Sequence, residues 1–237
     1  MATRTDPAAE PRVPLNRERV LAAAVSLADT GGLEALTMRN LAGDLGVEAM
    51  SLYYHVANKE AILDGVVDAV IGEILESLRS IDMPSAADDW KRVLRARILA
   101  AREVLLRHPW APGVIETRTS ISPATVHYFE ATVGVVRAGG FSHDLAHHAM
   151  HALGSRALGF TQELFEPDQA GEGDQAAAEL MEEMADQIPH LVEMMMAISH
   201  DDPDSTLGWC DDQTEFEFGL DLILDGLDRL RHAADEE

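Results

Sequence analysis

The sequence predicts an all-α fold, and three observations carry that prediction. Apolar residues recur at spacings of three and four along most of the chain, runs of alternating β-branched residues are missing, and Pro or Gly lies near most of the breaks between periodic segments. With 237 residues, 46% of them hydrophobic and 25% charged, the chain can bury a substantial core without disulfide or metal staples.

The elements follow in order. Residues 1–14, with Pro7, Pro11 and Pro14, read as a mobile arm. A first helix over about 16–30 puts Val20, Ala24 and Leu27 on one face, and "TGG" ends it because glycine tolerates the left-handed cap. Thr37 is a good N-cap for a short helix carrying Leu41 and Leu45, which Gly46 closes. The turn "GVE" leads into a second short helix over about 49–55, and Asn58 caps a longer one striped by Ile62, Val66, Val70 and Ile74. Further helices are expected over about 86–107, 113–118, 123–138, 143–165, 174–199 and 212–232. Residues 166–175 form an acidic loop, and Pro189 kinks or splits the helix around it. This divides the chain into a head of residues 1–60, comprising the arm and three helices, and a larger helical body of residues 61–237.

Charge is unevenly shared between the two parts. The formal net charge is −24, yet residues 1–60 hold 6 basic against 8 acidic side chains, leaving 12 against 34 for the rest. So negative a body repels nucleic acid, and any DNA contact is confined to the head. Cys210 is the sole cysteine, which excludes intrachain disulfides and thiolate clusters and points to a reducing cytoplasm. The first residues lack the apolar core of an export signal and no membrane-length apolar run occurs, so a soluble protein is expected.

A short helix, a tight turn at Gly46 and a second short helix make a helix-turn-helix, whose second helix enters the major groove. The string "LTMRNLAGDLGVEAMSLYYHVANKEAILDGVVD" resembles the DNA-binding head of the tetracycline-repressor (TetR) family, matching nearly every term of its pattern. Leu36, Leu41, Leu45, Val47 and Leu52 are spaced to pack the short helices against the first and fix their presentation. Tyr53, Tyr54, His55 and Lys59 cluster where phenol, imidazole and ammonium groups can donate to phosphates, with plugging of the small core the equal alternative for one of the two tyrosines. Base reading falls to Arg39 and to Glu48, Ala49, Met50 and Ser51 at the start of the recognition helix. The resemblance implies that Thr37 and Ser51 hold phosphates.

Residues 212–232 place Phe216, Leu220, Ile223, Leu227 and Leu230 on one stripe, widened by Phe218, Leu222 and Leu224, a face broad enough for burial on two sides. Gly219 and Gly226 either allow close helix approach or are neutral. In the family, this helix and the histidine-bearing one pair across a two-fold axis, which implies a homodimer reading a near-palindrome.

"DDWKRVLRARILAAREVLLRHPWA", "GVIETRT" and "GGFS" are similar to the family's ligand-binding body, so the resemblance covers most of residues 15–165. It implies a repressor that leaves double-stranded DNA when a small molecule fills a pocket, with Leu75, Arg97, Ala101, Glu116, Thr117, Arg118, Thr132, His147, Met150 and His151 as lining candidates and Glu163 reaching in from the partner. The family's tetracycline-binding members carry a metal-binding histidine just before the Thr-Arg pair, where this chain has Ile115 and Glu116. The effector is therefore not expected to be tetracycline with magnesium, and no cofactor is implied.

"SHDLAHHAMHALGSRALGF" sets His143, His147 and His151 four residues apart, which brings two imidazoles to one helix face and makes half of a metal site. No third ligand is identifiable, so His147 and His151 are expected to line the pocket or the dimer seam. A helical metal-binding protein or hydrolase centred on residues 143–151 is the alternative function. Met181, Met184 and Met194 to Met196 either line a cavity or fill core. No Ser-His-Asp, Cys-His or glycine-rich phosphate signature stands out, and an enzyme is not expected.

Overall fold

The computed structural model describes residues 14–159 and 212–233, with a few positions between 184 and 193. Nine helices span residues 14–159 and 212–233: α1 Arg17–Ala35, α2 Met38–Leu45, α3 Ala49–Leu52, α4 Lys59–Arg79, α5 Ala86–Arg107, α6 Ala111–Thr117, α7 Pro123–Ala138, α8 His143–Gly159 and α9 Asp212–Ala233. No strand occurs among the described residues. The arm, the 166–175 loop, Glu163, Met181 and Met194 to Met196 lie outside them, as does most of the helix expected over 174–199. At Pro189 a turn over 186–187 comes first and helical geometry resumes at 189, consistent with a proline that starts a helix more readily than it continues one.

Side-chain caps set the helix starts. Asn16 accepts from the Arg19 amide, Thr37 from Asn40, Asn58 from Ala61 and Ser122 from Thr125, each satisfying an amide that the helix itself leaves unpaired. Two boundaries differ from expectation. The "TGG" segment breaks α1 at Gly32, whose φ of 67° needs glycine, but one more turn continues to Ala35 and delivers Leu36 into the core. The recognition helix α3 stops at Leu52, because Leu52's carbonyl takes the amides of both His55 and Val56 and turns the chain inward at buried Val56.

Two apolar clusters hold the molecule. One joins α1 to α4 with the C-terminal half of α5 and with α6, through residues such as Val20, Leu41, Leu52, Val66, Val70 and Val104. The other joins the N-terminal half of α5 with α7, α8 and α9, through Trp90, Leu94, Phe141, Leu153, Phe216 and Leu220. The head thus shares a core with α4, and α5 runs through both clusters. The α1–α4 crossing is close: a Cβ added at Gly65 would run into the Leu21 methyls.

The expected dimer stripe on α9 divides in two. Phe216, Leu220 and Leu227 are buried in the protomer's own second core and Ile223 packs half-buried against it. Phe216 and Leu220 have no accessible surface to give a partner and Leu227 has only 6%, so these three are core residues of the protomer rather than seam residues. Leu230 is 57% exposed, as are Phe218 at 61% and Leu222 at 54%. A Cβ at Gly219 would stand 2.6 Å from the Arg156 guanidinium, so that glycine makes room for an arginine of its own chain, whereas Gly226 has open space around it.

Candidate nucleic-acid interface and effector cavity

The head's apolar residues and its polar residues separate cleanly. Leu36, Leu41 and Leu52 are buried beneath α2 and α3, with Leu45 and Val47 packed against them. Tyr53 and Tyr54 are 47% and 88% exposed, so neither plugs this core. Thr37, Arg39, Glu48, Ala49, Met50 and Lys59 are exposed on the same small domain, with Ser51 and His55 half-buried. Among the described residues neither Arg39 nor Lys59 is held in an ion pair.

Body cations behave differently. Lys91 meets Asp225 at 2.7 Å, Arg95 meets Glu217 at 2.6 Å and Asp221 at 2.7 Å, and Arg231 meets Asp228 at 2.7 Å. These contacts hold the Lys91 ammonium above the ordinary lysine range through its hydrogen bond to Asp225, and Asp228 below the usual carboxylate range through its bond to Arg231. In the head, Arg39 and Lys59 are left exposed and free of ion pairs where phosphates would be met.

A cavity of about 110 Å³ lies where the two cores meet, enclosed by α4, α5, α7 and α8. Val67, Ile71 and Ile74 of α4 form one wall, Ile98, Ala101 and Leu105 of α5 another, and Thr125, Tyr128, Phe129 and Thr132 of α7 a third; Met150, Leu153, Gly154, Ala157 and Leu158 of α8 with Ile115 complete it. Of the expected lining, Ala101, Thr132 and Met150 are brought together here. Leu75 packs instead against the first core, and Glu116 and Thr117 are exposed at the end of α6. Arg118 reaches back along the chain to Glu60 at 2.8 Å and Asp64 at 3.4 Å, tying α6 to the first turns of α4. His147 and His151 stand exposed on the outer face of α8 with ring centroids 4.6 Å apart. Among the described residues no three His, Cys, Asp or Glu side chains converge to hold a metal.

Arg97 lies one helical turn before Ala101 and is 7% exposed. Its guanidinium donates to Thr132 Oγ1 at 3.1 Å and to the Tyr128 carbonyl at 3.5 Å, with its central carbon 5.4 Å from the centroid of the Tyr128 ring. Burial lowers the Arg97 guanidinium from its ordinary value and raises the Tyr128 phenol.

A polar network that no local sequence signal marks joins the head to the body. Buried His108 places Nδ1 2.8 Å from Asp29 on α1 and Nε2 3.2 Å from Glu73 on α4, and Trp110 Nε1 donates to the same Asp29 oxygen at 2.6 Å. This network fastens the head's first helix to the body. The α4 and α8 walls of the cavity had a signal, since positions 67, 71 and 74 and positions 150, 153, 154, 157 and 158 each follow the helical period.

Comparison with known proteins agrees with this geometry. The family model "Bacterial regulatory proteins, tetR family" matches residues 20–66 and "Tetracyclin repressor-like, C-terminal domain" matches residues 83–231. An HTH-type transcriptional regulator of Saccharopolyspora erythraea is 35% identical over 127 residues, which span 54% of this chain and about half (51%) of that relative. The HTH-type transcriptional repressor DrrR1 of Streptomyces coeruleorubidus is 29% identical over 94% of this chain and 81% of its own. The crystal structure of apo ActR from Streptomyces coelicolor superposes with a TM-score of 0.73 at 26% identity, covering 94% of this chain and 99% of that one; ActR in complex with actinorhodin gives 0.70 at 26% identity over 90% and 95%. Among the described residues no helix is long and apolar enough to cross a membrane. With a helix-turn-helix head and an effector-domain body matched in order along one chain, this protein belongs to the tetracycline-repressor (TetR) family of DNA-binding transcriptional regulators.

Proposed function

We propose that two copies of this chain bind a near-palindromic operator and repress transcription in the cytoplasm until a small, largely apolar molecule enters the cavity of each. One observation carries the reading: α4 begins at Lys59 in the DNA-binding head and its middle, Val67 to Ile74, is a wall of the cavity. The 110 Å³ available is well below the roughly 300 Å³ at which drug-sized sites begin. An effector larger than a single ring must push a wall outward, and α4 transmits that movement to the recognition helix. A few kcal/mol of unequal affinity between the two states is enough to empty the operator. The ligand-bound form of ActR and the repressor name of DrrR1 support the analogy. The dimer seam would use exposed Phe218, Leu222 and Leu230 of α9 with the outer face of α8.

Selection of bound duplexes from a random pool by the purified protein is the direct test. Wild type should enrich an inverted repeat, and a Tyr53→Ala, Lys59→Ala double variant should not. Failure to enrich any sequence between roughly 50 and 200 mM salt, where phosphate-driven affinity changes most, would remove the operator-binding reading.

A further inference from the structure

Acidic side chains outnumber Lys and Arg by 42 to 18 in this chain, so a cation should find a carboxylate with ease. Arg95, Arg107, Arg118 and Arg231 all do. Arg97 does not. Among the described residues it takes part in no ion pair, its Nε has no hydrogen-bond partner, and its contacts are a hydroxyl, a carbonyl and a ring face. A guanidinium stays protonated even when buried, and a buried cation without an anion is costly. Its position gives that cost a use. Thr132, which accepts from it, and Tyr128, whose ring lies beneath it, both line the cavity, as do Ile98 and Ala101 beside it on α5. The rest of the lining is apolar apart from the hydroxyls of Thr125, Thr132 and Tyr128.

We propose that the effector is an anion: a flat, mostly apolar molecule with one acidic group, a carboxylate or an ionised phenol, received by Arg97 from its place directly behind the Thr132 and Tyr128 wall of the cavity. The proposal rests on the cavity being the effector site and specifies what the site selects. The planar fork can engage both oxygens of a carboxylate at once, which an ammonium cannot, while the apolar walls take the remainder of the molecule.

The test titrates the full-length protein with two probes of matched shape, naphthoate and the neutral naphthylmethanol, for wild type and Arg97→Met. Wild type should bind naphthoate at least about tenfold more tightly than the alcohol, and Arg97→Met should bring the two within about twofold while keeping its affinity for the alcohol. Arg97→Met should unfold at or above the wild-type temperature, since it removes an isolated buried charge; should it fail to fold, Arg97→Gln replaces it in the same titration. Equal wild-type affinity for the two probes, or a preference for naphthoate that survives in the neutral variant, would overturn the anion proposal and leave the cavity reading standing. Binding of neither probe at millimolar concentration would overturn both. Naphthoate that binds through Arg97 yet leaves the selected operator duplex occupied would uphold the charge selection and count against release as the consequence.

Discussion

Tyr53, Tyr54, Arg39 and Lys59 turn outward from a head whose leucines turn inward, and the chemistry of each sets a different expectation. Arg39→Ala should relax base preference at one position of each half-site at a cost of about 1–3 kcal/mol per contact. Lys59→Ala should weaken every duplex alike and flatten the salt dependence by roughly one phosphate's worth. Competition between selected and scrambled duplexes separates the two; a changed base preference in the lysine variant would mean the roles are misassigned. At the junction of head and body, Asp29 accepts from Trp110 and faces His108. Asp29→Ala leaves both rings without that partner and should lower stability by about 1–3 kcal/mol in urea unfolding.

At the level of elements, α4 and α5 organise the molecule, one joining head to cavity and the other threading both cores. Gly65→Ala would drive a methyl into Leu21 where α1 crosses α4, and overpacking of this kind costs about 1–3 kcal/mol; thermal unfolding should show it, and an unchanged midpoint would mean that Leu21 repacks without cost. Capping residues and apolar periodicity made most of the helices legible, because those signals act within a few residues. The pairing of Arg118 is not legible in the sequence, because its partners lie 58 and 54 positions back along the chain and no local spacing reports such a contact. The α9 stripe is legible as apolar, but periodicity gives a face and not its neighbour: Phe216 and Leu220 are buried in the second core of their own chain. Arg97 was placed near the pocket by resemblance, whereas its lack of a carboxylate is visible only in three dimensions.

For the whole molecule, the exposed apolar side chains of α9 and the paired charges of the body frame the assembly. Phe218→Glu with Leu222→Glu should shift sedimentation from dimer toward monomer and lose most operator affinity, since each half-site is bound weakly alone; a double variant that stays dimeric would move the seam elsewhere. The shared core of α1 and α4 has a mechanical consequence. Because the head is packed onto α4 at Gly65 and bolted to the body through Asp29 and His108, it cannot swing independently of that helix. Under the proposed mechanism α4 acts as a lever: from Ile71 to Lys59 is ~18 Å at 1.5 Å per residue, so a tilt of ~5° moves the far end by ~1.6 Å. Doubled across a two-fold axis, that mismatch of ~3 Å is large against the ~0.5 Å range over which base-edge hydrogen bonds hold. Under the proposed mechanism, a tilt of a few degrees in one helix is therefore enough to pull two recognition helices out of register with one turn of DNA.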